Sequence, residues 1–157
     1  MAATWAAMVS LGEKGYLESA EKIFHTAAQI RAGIEAIPGL EVFGDPTFLV
    51  AFQSPGLDIY HLNDHLVARG WRLNALQLPP GLHFCVTRPN TTPGVAESFL
   101  RDLREAVEYA RTPGLGSPRS GALYGLGGTP AGNEVLDTLF AAALDAMYEV
   151  APSGRDG

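Results

Sequence analysis

Cysteine is almost absent from these 157 residues: Cys85 stands alone, so no internal disulfide can form and the fold must rest on packing. A single thiol fits a reducing, cytoplasmic setting. Basic residues are also few, 11 Lys and Arg against 17 Asp and Glu, for a net charge of −6. They are scattered, so no basic stripe exists to follow a phosphate backbone, which argues against nucleic-acid binding. Apolar runs such as Phe48–Phe52 are far shorter than the roughly 20 residues that cross a bilayer, so no transmembrane segment is expected. The first eleven residues lack the basic start and small-residue cleavage site of a secretory signal. With Trp5 and Met8 among them, they read as the tail of a helix that begins elsewhere.

What is present is a 46% hydrophobic chain of a length suited to one compact domain, expected over residues 1–150 with a frayed tail at 151–157. From Tyr16 to Ile37, Leu17, Ala20, Ile23, Phe24, Ala27, Ile30 and Ile34 recur every three or four positions, predicting an amphipathic helix stopped by Pro38-Gly39. Strands are expected at Leu40–Phe43 and Thr47–Gln53. Asp58 is placed to cap a second helix, which carries Ile59, Leu62, Leu66 and Val67 inward and ends at Gly70. Two further strands are expected, Trp71–Leu76 and Leu82–Thr87, separated by Pro79-Pro80-Gly81. In the second, Leu82, Phe84 and Val86 share one face while His83, Cys85 and Thr87 share the other. Thr92-Pro93 and Thr129-Pro130 each signal a helix start. Val95, Phe99, Leu103, Ala106 and Ala110 face inward on the earlier helix; Val135, Leu136, Leu139, Phe140, Ala143 and Met147 do so on the later one. The order predicts an α+β fold: a two-layer sandwich with helices on one face of a small, mostly antiparallel sheet.

Three local patterns invite a chemical reading. His61 and His65 flank Asp64 at helical spacing, an arrangement that suits zinc, but no third ligand can be named and two ordinary histidines on a helix face is the preferred reading. His83 and Cys85 share a strand face, yet nothing in the sequence orients the imidazole or supplies an oxyanion hole, so a small buried thiol is preferred there too. The connection Gly116–Gly128, GSPRSGALYGLGG, is long and rich in glycine, with an apolar centre. Tyr124 within it either donates a hydrogen bond into a neighbouring pocket or anchors the loop on its own domain, and composition does not choose between them. There is no GxSxG elbow, and GLGG lacks the strand and lysine of a phosphate loop.

Longer stretches carry a resemblance. Ala3–Met8, Gly12–Tyr16, Asp58–Tyr60, Gly70–Pro80 (GWRLNALQLPP), His83–Thr87 (HFCVT) and Gly121–Gly125 occur in the order and spacing of the sphingosine-1-phosphate lyase branch of the group II pyridoxal-phosphate (PLP) decarboxylase family. The chain resembles the carboxy-terminal small domain of these fold-type I enzymes, from its first residues to about Tyr148. The resemblance implies a PLP-binding large domain and a second subunit of a homodimer as partners. It implies a phosphorylated sphingoid base as substrate, cleaved to a long-chain aldehyde and phosphoethanolamine with PLP as electron sink. It also implies that catalysis is incomplete here. The family's Schiff-base lysine follows a histidine, whereas the two lysines, Lys14 and Lys22, do not. No catalytic, cofactor or metal residue is therefore assigned, and Tyr124 with Gly125 is the expected substrate-binding element. Trp71, Asn74 and Pro79-Pro80 are expected to serve packing and turns. An amino-acid decarboxylase parent and a free-standing interaction module are the alternatives.

Overall fold

The computed structural model describes residues 2–124 and 130–148, and of 122–124 and 130–136 the backbone alone. The expected tail at 151–157 and Gly125 lie outside the described residues.

Helix α1 runs Ala2–Glu35 and bends at Gly12, whose φ of 60° and ψ of 177° break the helical path. The stretch before the bend is the helix foreseen for the first eleven residues, and it is exposed, with Trp5 and Val9 more than 60% accessible. Beyond the bend the periodic face engages, and Thr26, Ala27, Ile30 and Ile34 are buried. Leu17 and Phe24 of the periodic set stay exposed, Leu17 because the core is reached only from Ile23 onward and Phe24 because it sits beside the buried stripe of Ala27, Ile30 and Ile34.

Strands β1 (Glu41–Val42), β2 (Leu49–Gln53), β3 (Asn74–Gln77) and β4 (Pro80–Cys85) form one antiparallel sheet in the order β1-β2-β4-β3. Val50 pairs with Phe84 and Phe52 with Leu82, so all four side chains share one face. That face is buried against α1, α2 (Ile59–Ala68) and α3 (Val95–Ala110), whose Leu62, Leu66, Phe99 and Leu103 are inaccessible. The opposite face, with Leu49, Ala51, His83 and Cys85, stays partly open. The α+β arrangement matches the expectation, with five α-helices and a four-stranded antiparallel sheet among the described residues.

Several boundaries differ, and the strand expected at Trp71–Leu76 runs Asn74–Gln77 instead. Pro80 and Gly81, expected as a turn, are strand residues, because the hairpin turns on Leu78-Pro79 alone. A 3₁₀ turn, Arg88–Thr91, precedes α3, which starts at Val95 behind a left-handed Gly94. Within the glycine-rich connection, Arg119–Tyr124 forms a short helix, α4, before α5 (Pro130–Tyr148). Leu139, Phe140 and Met147, expected inward on α5, are at least 60% exposed, since no described layer packs over them.

Gly33 marks the closest approach of α1 to α3: a methyl group there would lie 2.2 Å from a Leu100 methyl. Gly33→Ala is expected to destabilise the chain by about 1–3 kcal/mol through overpacking. Gly56→Ala, where a methyl group meets open space, should stay within about 0.5 kcal/mol. Urea unfolding of the two variants beside the parent checks this.

Candidate functional site

Helix α2 is the hub of the chemically interesting side chains. Asp58 caps it as expected, its carboxylate accepting the Tyr60 N–H at 2.9 Å. At the other end the Gly70 N–H donates to the Val67 carbonyl and the Trp71 N–H to the Leu66 carbonyl, each at 3.0 Å, with Gly70 at φ 92°. This paired closure needs a residue tolerant of the left-handed region, and it aims Trp71 back toward the core.

Trp71 lands edge-on against Phe84 and Phe99, 6.2 and 5.2 Å between ring centres, while Phe84 and Phe99 stack at 4.6 Å. Its indole N–H donates to Asp102 Oδ2 at 2.8 Å, and the Arg101 guanidinium holds Oδ1 at 3.1 Å. Burial opposes a charge on Asp102, but the hydrogen bonds from Trp71 and Arg101 outweigh it and keep the carboxyl below its ordinary range. Trp71 and Phe84, residues of the two motif runs, thus serve packing, as does their buried acid.

The histidines separate. His65 turns to α3, where its ring stacks on Tyr109 at 4.8 Å. Burial first, then the Arg69 charge, lowers its pKa; Glu105 and Asp102 pull the other way without prevailing. Among the described residues no group of three or more His, Cys, Asp and Glu is placed to hold a metal ion. His83 and Cys85 do share the open sheet face, but His83 Nδ1 has no hydrogen-bond partner among the described residues, so nothing orients the imidazole toward the thiol.

Asp64, between the histidines, has a role that sequence reasoning missed. Its carboxylate accepts the backbone N–H of Arg119 at 2.5 Å and of Ser120 at 3.0 Å, and also takes the Ser120 hydroxyl. It caps α4 from another helix. Ser120 Oγ also lies 3.2 Å from the Tyr60 carbonyl. The Tyr60 hydroxyl in turn donates to the Leu76 carbonyl at 2.8 Å, tying α2 to β3, and burial followed by the Asp58 charge raises its pKa. Only Ser117-Pro118, the same start signal as Thr92-Pro93, hinted at α4 in the sequence. Tyr124 is the last residue of α4; its side chain lies outside the description.

Two lysine amines bear on the cofactor. Lys14 is 90% exposed and faces Glu18 at 3.7 Å, and Lys22 is exposed on the same helix. Neither amine is buried, so these residues do not fit PLP as its anchor.

No family model matches the chain. It is 41% identical over 150 residues to a sphingosine-1-phosphate lyase of Drosophila melanogaster, covering 94% of this chain and 28% of the relative. The corresponding enzyme of Arabidopsis thaliana is 39% identical over 150 residues, again 94% of this chain and 27% of the relative. The solved structure of a Burkholderia pseudomallei sphingosine-1-phosphate lyase superposes with a TM-score of 0.72 at 45% identity, over 96% of this chain and 29% of that one. The chain therefore spans just over a quarter of the length of the relatives it matches.

Trp71→Phe keeps an aromatic ring, though a smaller one, and removes the donor to Asp102; it is expected to cost at least about 1.5–3 kcal/mol near neutral pH. Because the folded Asp102 pKa is depressed, its contribution is full above the unfolded carboxyl pKa and fades as pH falls through the folded value. The stability gap between parent and variant should therefore narrow in acid, as urea midpoints from pH 7 down to pH 2–3 would show.

Proposed function

Because the chain is homologous to one region of sphingosine-1-phosphate lyases, we propose that it is the carboxy-terminal small domain of such an enzyme and works only with a PLP-bearing large domain. The assembled protein would cleave a phosphorylated sphingoid base to a long-chain aldehyde and phosphoethanolamine, PLP acting as electron sink. The near-complete match of this chain to about a quarter of each lyase carries the proposal.

The surface supports it. Trp5, Met8 and Val9 on α1 and Leu139, Phe140, Leu144, Met147 and Tyr148 on α5 are more than half exposed, an apolar display far beyond scattered single residues. In the proposal these helices meet the large domain and a second subunit of a homodimer. In this reading cofactor attachment falls to the large domain, since Lys14 and Lys22 are both exposed. The substrate-facing element contributed here is Tyr124 with Gly125, whose phenol would donate to the substrate phosphate. No helix among the described residues is long and apolar enough to cross a membrane; the single thiol favours a cytoplasmic site of action.

Incubated alone with PLP, the chain should carry no borohydride-trapped cofactor on Lys14 or Lys22 and release no aldehyde. A chimera in which it replaces the matching region of the Burkholderia pseudomallei lyase should release aldehyde and phosphoethanolamine in equal amounts. Stoichiometric trapping on either lysine, or a folded dimeric chimera that binds PLP yet leaves the phosphorylated base intact, would sink the proposal. Carbon dioxide release from amino acids by that chimera would move it to the decarboxylases.

A further inference from the structure

Asp64 lies 60 residues before Tyr124 in sequence yet governs the element that ends in it. α4 has six residues, too few to hold together in water without tertiary support. Its first two amides, which no intrahelical carbonyl can satisfy, both go to the Asp64 carboxylate. The Ser120 hydroxyl adds a third bond to the same group and reaches the Tyr60 carbonyl. α4 also packs on α2: a methyl group on Gly121 would lie 3.4 Å from the Tyr60 ring. Tyr60 is itself held by the Leu76 carbonyl. The start of α4 is thus fixed to the rigid α2–β3 frame through one carboxylate, four residues ahead of Tyr124.

We propose that Asp64 is a positioning residue for substrate binding: by capping α4 from α2 it sets where Tyr124 stands. This rests on the reading of Tyr124 as a substrate-binding residue. Asp64 touches no substrate; it acts through α4. Its loss should therefore weaken substrate binding more than the bond-breaking step, and should matter only while Tyr124 can use its phenol.

Two measurements test this. In the full chain, Asp64→Ala should speed hydrogen exchange of the Arg119 and Ser120 amides about tenfold or more, while α3 amides stay unchanged. Asp64→Asn, which keeps an acceptor, should show a smaller increase. In the lyase chimera, Asp64→Ala should raise KM for the phosphorylated base about tenfold with kcat within about twofold. Tyr124→Phe should do likewise, and the double variant should be no worse than the worse single one. Unchanged amide exchange would overturn the tether and with it the proposal. Faster exchange with an unmoved KM, or strictly multiplicative effects in the double variant, would overturn the positioning role. Failure of the lyase assignment itself would appear separately, as absence of turnover in the unsubstituted chimera.

Discussion

The register of β2 against β4 is the constraint on which the molecule depends. Pairing Val50 with Phe84 and Phe52 with Leu82 gathers the large apolar side chains of both strands on one side of the sheet. A slip of one residue would turn Val50 and Phe52 outward and bring Ala51 and Gln53 to the helices. Each of these inaccessible side chains contributes about 1.5–3 kcal/mol through burial, so register and stability are one requirement. The three covering helices are placed by that same face. Ile30 and Ile34 of α1, Leu62 and Leu66 of α2 and Phe99 and Leu103 of α3 meet over it.

Much of this was legible because it depends on short-range pattern. The 3.6-residue period of Ala27, Ile30 and Ile34, the cap at Asp58, the stop at Gly70 and the alternation of Leu82, Phe84 and Val86 all act within a few residues of themselves. The misses have separate causes. α4 carries too few apolar residues to show a period, and it is held by an acid 55 residues away. Pro80 and Gly81 look like turn residues but are strand, because a two-residue turn leaves them paired with Gln77 and Leu76. The stripe expected to face inward on α5 is exposed, since period reports only that a face is apolar, not which element covers it.

The site followed the same rule. His61-Leu62-Asn63-Asp64-His65 attracts attention as a ligand pattern, yet the structure divides its members: Leu62 enters the core, His65 stacks on Tyr109 and Asp64 caps α4. The resemblance to the lyases rested partly on Trp71 and the HFC run, whose aromatic members meet at the junction of sheet and α3. Trp71 and Phe84 thus mark the homologous fold through their packing.

The bond from the Tyr60 hydroxyl to the Leu76 carbonyl has a consequence beyond joining α2 to β3. β3 is an outermost strand, and such strands offer unpaired backbone groups on which foreign chains can polymerise. A phenol seated on that carbonyl, with α4 packed alongside, removes one rung of the template. The other margin, β1, is two residues long and offers scarcely any. A domain displaying so much greasy helix surface is thereby guarded against self-assembly at its sheet margins, which leaves association to the helices.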